Sequence, residues 1–338
     1  MTDEMVSALS EIASAYSDSR TCYCRLDLIG DLGGGLALTG AVLDEKTLHD
    51  VVGRLAARFP KVTHDTTQVR VLRSGSPSRA LGTNITGFYA MPSFLAEQLS
   101  QLLNGCPVEV LLEEERWCFV RQPDGYLGWV YAPYLAGTAI DAVTDLVCSP
   151  ETGVRTRPDE LAPLATRLLG GTSVAVDGEE GPWRHVLLAG AHPGWVRADA
   201  LRTLDELPHN EKTRRDQISR DAGRFTGVQY LWGGCSAWGI DCSGFSQLLH
   251  RLSGVILPRD ADMQYTAGRP VDFPYQPGDL LFFGEAGDAR KITHVAVSRG
   301  GWDIIHSSRR INGVYEDNVQ QVEGLCETFV GARTFLKD

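Results

Sequence analysis

Apolar residues at helical spacing mark Met5 to Tyr16 and Thr47 to Phe59, the second behind a candidate cap at Asp44. Between them, Cys22 to Val42 alternates apolar and polar positions and carries a Gly33 to Gly35 cluster. Together these stretches predict a small α/β unit over residues 1–61. From 62 to 203 the period shortens to two. Stretches such as Val108-Glu109-Val110 are separated by Gly and Pro turns, and Asp124-Gly125 before Tyr126 is a hairpin signal. One segment departs from this alternation. Pro92, Phe94, Leu95, Leu99, Leu102 and Leu103 fall at helical spacing, which predicts a helix over Met91 to Leu103. After 204 the order changes again. Asn210 caps a predicted helix running to about Gly223, and a second helix begins at Asp241. Strands then follow at Leu280 to Phe283, Thr293 to Ser298, Trp302 to His306 and Phe329 to Phe335. Helices first and an antiparallel sheet later predict an α+β domain over 204–338.

The middle of the chain repeats itself. Val108, Val110, Trp117, Gly128-Trp129-Val130 and Leu135 reappear, without a gap, as Val174, Val176, Trp183, Gly194-Trp195-Val196 and Leu201. Every pair is 66 residues apart, so two small all-β domains are expected, at 62–136 and 138–203. The helical segment is read as an insertion in the first.

Composition narrows the function classes. With 43% hydrophobic and 22% charged residues the chain is of ordinary globular type. A formal charge of −11 gives it no electrostatic reason to seek nucleic acid or anionic lipid. The basic run Lys212 to Arg215 reads as a solvated helix face. The start Met-Thr-Asp-Glu-Met-Val shows no signal-peptide pattern, and no apolar run is long enough to span a membrane, so a cytoplasmic protein is expected. Eight cysteines without framework spacing read as reduced, mostly buried thiols. The Cys22/Cys24 pair has no second pair at zinc-site spacing, so no metal is expected there.

One stretch concentrates chemistry. Tyr230-Leu-Trp-Gly-Gly-Cys-Ser-Ala-Trp-Gly-Ile-Asp-Cys leads through glycines to a helix start. Asp241 is a good N-cap, and Cys242 then sits in the first turn, where free amides and the helix dipole lower a thiol pKa. A cysteine in that position is also, taken alone, an ordinary small core residue. Cys235 lies in the loop with no helix behind it and ranks second. A thiolate needs a base. His294 opens one strand and His306 closes the next, around the Gly300-Gly301 turn. With a three-residue loop at 299–301 the two face each other directly. That arrangement fits a base and its orienting partner, a structural pair, or half of a metal site lacking its other ligands. His250, eight residues past Cys242 on the same helix, is too far along to serve.

In order, "YLWGG", "DCSGF", "LPRDADMQ", "PGDLLFF", "HVAV" and "HSS" resemble the NlpC-type (NlpC/p60) papain-like cysteine peptidases over about 210–338. The signature "W…DGYxGWV" resembles bacterial SH3-like domains, and two such domains before the peptidase resemble the γ-D-glutamyl-L-diamino acid endopeptidases. The resemblance implies two small all-β SH3-like barrels followed by an α+β papain-like domain. It implies Cys242 as nucleophile, His294 as general base and acid, His306 as orienting residue and Tyr230 as an oxyanion donor beside the Cys242 amide. Without it, Tyr230 reads equally as a strand-end core tyrosine. Asp241 and Ser243 are then expected at the substrate, and Asp260 at its free amino terminus, although Asp260 reads equally as a helix N-cap; Asp262 is a lesser candidate. Tyr126 or Trp117 of the first SH3-like domain is an expected aromatic wall.

The implied substrate is a small murein peptide with a free N-terminal L-Ala, cleaved between γ-D-Glu and diaminopimelate or lysine, with no metal or cofactor required. An acid that pairs with an ammonium rejects intact polymer, where that nitrogen is acylated. Two rival readings share the thiol site: an amidase or acyltransferase on another substrate, and a wall-peptide binding protein with an idle thiol.

Overall fold

The computed structural model describes residues 3–29, 35–137, 140, 142–285 and 287–336, which leaves Gly33, Gly34 and the expected boundary at 138 outside the described residues. The chain divides into two compact units. One runs to Ser78 and takes in Val108–Trp129; the other holds Arg79–Pro107 and everything from Val130 onward.

In the first unit, helix Asp3–Ser14 buries Met5, Ala8, Leu9 and Ile12, the inward stripe of an amphipathic helix. Helix Glu45–Arg58 starts where the Asp44 carboxylate accepts from the Thr47 amide at 2.9 Å, as its sequence predicts. Both cover a sheet in which Cys24–Ile29 and Gly35–Val42 are antiparallel. Thr63–Val71 then pairs parallel with Gly35–Val42. Parallel neighbours need a crossover, and helix Glu45–Arg58 supplies it. The boundary expected at 61 therefore falls inside this βαβ unit and moves beyond Val71. The hairpin of Pro107–Glu114 and Trp117–Arg121 adds Leu111 and Phe119 to a second cluster with Leu43, Leu72 and Leu127.

The repeat is structural as well as sequential. Ile85–Tyr89, Gln98–Leu103, Pro107–Glu114, Trp117–Arg121 and the 3₁₀ turn Ala132–Tyr134 recur as Glu151–Arg155, Leu164–Leu169, Ser173–Glu180, Trp183–Leu187 and Ala198–Ala200. The bulge between Val110 and Leu112 has its counterpart between Val176 and Gly178. Glu115 adopts φ 52°, the left-handed conformation that Gly181 takes at φ 53° in the second copy. The second copy forms a seven-stranded sheet over Val147, Val154, Leu168, Val174, Val186 and Val196.

The helix expected at Met91 to Leu103 is absent. Residues 91–97 are turns, and Gln98–Leu103 is a strand paired antiparallel with Ile85–Tyr89. The apolar residues that fit a helix divide between an exposed tip, with Leu95 98% exposed, and a strand that buries Ser100 and Leu102. A short apolar run satisfies both periods, and pairing with a neighbouring strand decides between them.

The C-terminal domain is a six-stranded antiparallel sheet with helices Glu211–Ala222, Cys242–Leu252 and Ala261–Ala267. Its strand Leu280–Gly284 is buried on both sides. Leu280 and Phe282 join the core with Phe245, Leu248, Leu249 and Leu252, while Leu281 and Phe283 join an opposite cluster with Tyr275 and Ala296. The basic run at 212–215 is only partly a solvated face. Arg215 turns inward, donating to Asp279 at 2.9 Å and to the Pro277 carbonyl at 2.8 Å. No helix among the described residues is long and apolar enough to cross a membrane.

Candidate active site

Helix Cys242–Leu252 begins on Asp241, whose Oδ1 accepts the Gly244 amide at 2.7 Å. The start is tight: a Cβ on Gly244 would lie 2.2 Å from the Gly234 carbonyl oxygen, so the sequence Asp-Cys-Ser-Gly allows the approach of the preceding loop. Both Asp241 oxygens are further engaged. Oδ2 accepts the Gly233 amide at 2.9 Å, and Arg259 donates to Oδ2 at 2.7 Å and Oδ1 at 3.1 Å. The Ser243 hydroxyl donates to Asp241 and accepts from Arg259. Asp241 and Ser243, expected at the substrate, are thus both buried in a network that fixes the loop before the thiol.

Arg259 is the residue of this network that sequence reasoning passed over. It stands in "LPRDADMQ" beside Asp260, and a lone arginine next to an acid gives no sign of being buried. Its Nε donates to the Ser100 hydroxyl at 3.1 Å. Ser100 lies on strand Gln98–Leu103, whose neighbours also grip the loop: the Gln98 amide donates to the Trp232 carbonyl, and Gln101 Oε1 accepts the Cys235 amide at 2.8 Å. The Trp232 indole donates to Glu97 at 2.9 Å. Cys235 itself is held against the Ser100 hydroxyl, and burial raises its pKa. Asp260 occupies the N-cap position of the short helix Ala261–Ala267 without capping it through its side chain.

Cys242 is 8% exposed and shares a core cluster with Ile292, Val295 and Val297 of the strand that carries His294, against which its helix packs. Burial pushes its thiol up to about 12, and the Asp241 charge adds to this; the Val295 amide and Arg259 act the other way. The lowered thiol pKa expected from the helix start is therefore overruled by desolvation, which penalises a lone thiolate more than the first-turn amides favour it. Tyr230 is raised as well, first by burial and then by the nearby Cys242 charge.

The two histidines meet, but not in direct register. The pairs are Val297 with Ile305 and Ser298 with Ile304, so His294 is a diagonal rather than an opposite neighbour of His306. Their rings still reach: His294 Nε2 and His306 Nδ1 are 2.7 Å apart. On its other side His306 Nε2 lies 3.0 Å from Asp317 Oδ2, and Arg310 also binds that carboxylate. A carboxylate only accepts, so His306 carries its proton on Nε2. Burial lowers the His306 pKa and keeps the ring neutral, so its Nδ1 accepts, and His294 Nε2–H donates to it. His294 is left with Nδ1 as its basic nitrogen. Burial and His306 push the His294 pKa down to about 3. Asp317 was missed because its strand, Gly313–Asn318, carries no motif of its own.

Tyr126 belongs to the first unit, is 3% exposed, and donates its backbone amide to the Asp124 carboxylate. His250 lies in the core with Nδ1 2.8 Å from the Ser246 carbonyl. Among the described residues no cluster of three or more His, Cys, Asp or Glu is arranged to hold a metal.

Residues 227–333 match the NlpC/P60 family and residues 88–136 match the bacterial SH3 domain. The chain carries an NlpC/P60 domain. It is an enzyme of the cysteine peptidase kind that this family comprises. A γ-D-glutamyl-L-lysine dipeptidyl-peptidase of Bacillus cereus is 28% identical over 254 residues, spanning 70% of this chain and 75% of that protein. Dipeptidyl-peptidase 6 of Lysinibacillus sphaericus is 28% identical over 253 residues, spanning 70% and 90%. Among solved structures, an NlpC/P60 family protein of Bacillus cereus superposes with a TM-score of 0.67 at 23% identity, covering 77% of this chain and 99% of that one. That likeness establishes a shared fold.

Proposed function

We propose that this NlpC/P60 enzyme hydrolyses the γ-D-glutamyl bond to the diamino acid of free murein stem peptides, L-Ala-γ-D-Glu-diaminopimelate or the lysine counterpart. The observation that carries the chemistry is the tautomer chain Asp317–His306–His294, which leaves His294 Nδ1 as base on the strand packed against Cys242. The similar dipeptidyl-peptidases, one of them named for γ-D-glutamyl-L-lysine, support the substrate.

Burial disfavours a thiolate alone and an imidazolium alone. Proton transfer from Sγ to His294 Nδ1 as the peptide carbonyl arrives keeps the pair neutral overall, so the activated state forms with substrate rather than before it. Sγ adds to the γ-carbonyl carbon, and the Cys242 amide and Tyr230 hydroxyl hold the oxyanion. His294 returns the proton to the departing amine, and water, deprotonated by His294, then hydrolyses the thioester. Asp260 takes the role of pairing with the free ammonium. The 66-residue repeat of strands, bulge and left-handed residue supports a second SH3-like domain before the peptidase.

Incubation with L-Ala-γ-D-Glu-meso-diaminopimelate and the lysine peptide, read by mass spectrometry, is expected to release L-Ala-γ-D-Glu. Cys242→Ala is expected to release none, and N-acetylated peptide to resist cleavage. Intact peptides after prolonged incubation with the unaltered enzyme would sink the reading. Cleavage of the acetylated peptide at an equal rate would remove the amine-recognition part alone.

A further inference from the structure

Of the arginines around the nucleophile loop and the histidine strands, Arg259 is bound to Asp241, Arg310 to Asp317 and Arg299 to Glu316. Arg309 is exposed and joins none of the ion pairs among the described residues. It follows directly on strand Asp303–Ser308, which carries His306. Its guanidinium centre lies 5.3 Å from the Tyr230 ring and 4.9 Å from the Trp232 ring. The turn beneath it is fixed: the Asn312 amide donates to the Arg309 carbonyl, and the Tyr230 amide donates to the Asn312 carbonyl at 3.3 Å. Trp232 remains 51% exposed, so the stack is open to solvent.

This arrangement does something specific to an arginine. Stacking engages the flat face of the guanidinium, and a hydrogen bond to the Tyr230 side chain takes up part of its edge, while none of the ion pairs among the described residues uses the rest of its five N–H donors. A fork held rigid by two aromatic rings, with no protein carboxylate on it, is prepared for a planar anion supplied from outside. The Tyr230 ring that carries the guanidinium also feels the Cys242 charge. A γ-linked glutamate keeps its α-carboxylate free a few bonds from the carbonyl under attack. The departing amino acid carries another beside its nitrogen.

We propose that Arg309, stacked on Tyr230 and Trp232, binds a free carboxylate of the peptide next to the scissile bond and makes the enzyme discriminate acid from carboxamide at that position. The inference rests on the peptidase reading above. Its physical consequence is selectivity against substrates in which this carboxylate is amidated, because a carboxamide offers the fork one neutral acceptor in place of two charged ones.

The test compares kcat/KM of the full-length enzyme on L-Ala-γ-D-Glu-L-Lys, on the peptide with the glutamate α-carboxylate amidated, and on the peptide ending in lysinamide. The enzyme is expected to prefer the acid by roughly 10- to 100-fold over one of the amides, which identifies the carboxylate bound. Arg309→Gln is expected to erase that preference by slowing the acid peptide alone, with the melting temperature unchanged, and Arg309→Lys to keep part of it. Equal cleavage of all three peptides by the unaltered enzyme overturns the inference while leaving the peptidase reading intact. So does an equal loss on all three in Arg309→Gln. Failure of the enzyme to cleave any of them removes the peptidase reading, and this inference with it.

Discussion

Arg259 heads the fully buried side chains among the described residues, ahead of every phenylalanine, and it is a charged one. Asp241 balances it, and the two hold each other through two hydrogen bonds while Asp241 also caps the nucleophile helix. Taking the cation away leaves a carboxylate buried without counter-charge, which costs about 3–5 kcal/mol. Arg259→Met is accordingly expected to lower the urea midpoint strongly and to reduce activity with it. Combining it with Asp241→Asn removes the orphaned charge, and the double variant is expected to be more stable than Arg259→Met alone. Urea denaturation of the two singles and the double measures this. Strict additivity would show that the two residues do not act as a pair.

At the scale of the element, the hairpin Ile292–Gly300 and Asp303–Ser308 and its neighbour Gly313–Asn318 set one proton on each ring. Asp317→Asn removes the acceptor that fixes His306, and an asparagine amide turned to donate inverts the tautomer order. Asp317 acts through two rings, so a kcat loss of about 10- to 100-fold is expected, smaller than the roughly 10⁴-fold known where a carboxylate contacts the base directly. KM is expected to hold, and steady-state kinetics separates the two. Unchanged kcat would mean that His306 is oriented by packing alone. The helix start at Asp241 and the meeting of His294 with His306 were legible because each sits where a local signal is strong: Asp241 before a helical run, the two histidines at strand ends around a glycine turn. Register was off by two residues because loop length, not side-chain pattern, determines it. The strand Gln98–Leu103 was misread as helix, and with it went the hydrogen bonds of Gln98, Ser100 and Gln101 to a loop more than 130 residues away. Contacts at such separation leave no trace in local periodicity. The buried thiol was misjudged for a related reason: desolvation is a property of the packed whole.

On the scale of the whole molecule, the C-terminal domain keeps three histidines neutral inside it. Burial lowers His250 to about 4 and His294 to about 3, and lowers His306 as well. Each folded pKa lies below the unfolded value of about 6.5, so the unfolded chain binds more protons through this window. The stability these groups contribute is present in full above about pH 6.5 and declines as pH falls toward the folded values. Between pH 7 and 5.5 His250 and His294 are each expected to withdraw about 1 kcal/mol, and His306 acts in the same direction, in a range where carboxylates of ordinary pKa hardly titrate. His250 separates this effect from catalysis, since it lies in the core, its Nδ1 against the Ser246 carbonyl, and has no part in the proposed proton transfer. Urea midpoints of the full chain at pH 7 and pH 5.5 are expected to differ by an amount matching that loss. His250→Gln, which cannot take up a proton in either state, is expected to narrow the difference by about 1 kcal/mol, whatever its stability at pH 7. A midpoint that stays level from pH 7 to 5.5 would mean that these rings find counter-charges on protonation, and Asp317 beside His306 and Asp279 near His250 are the carboxylates placed to provide them.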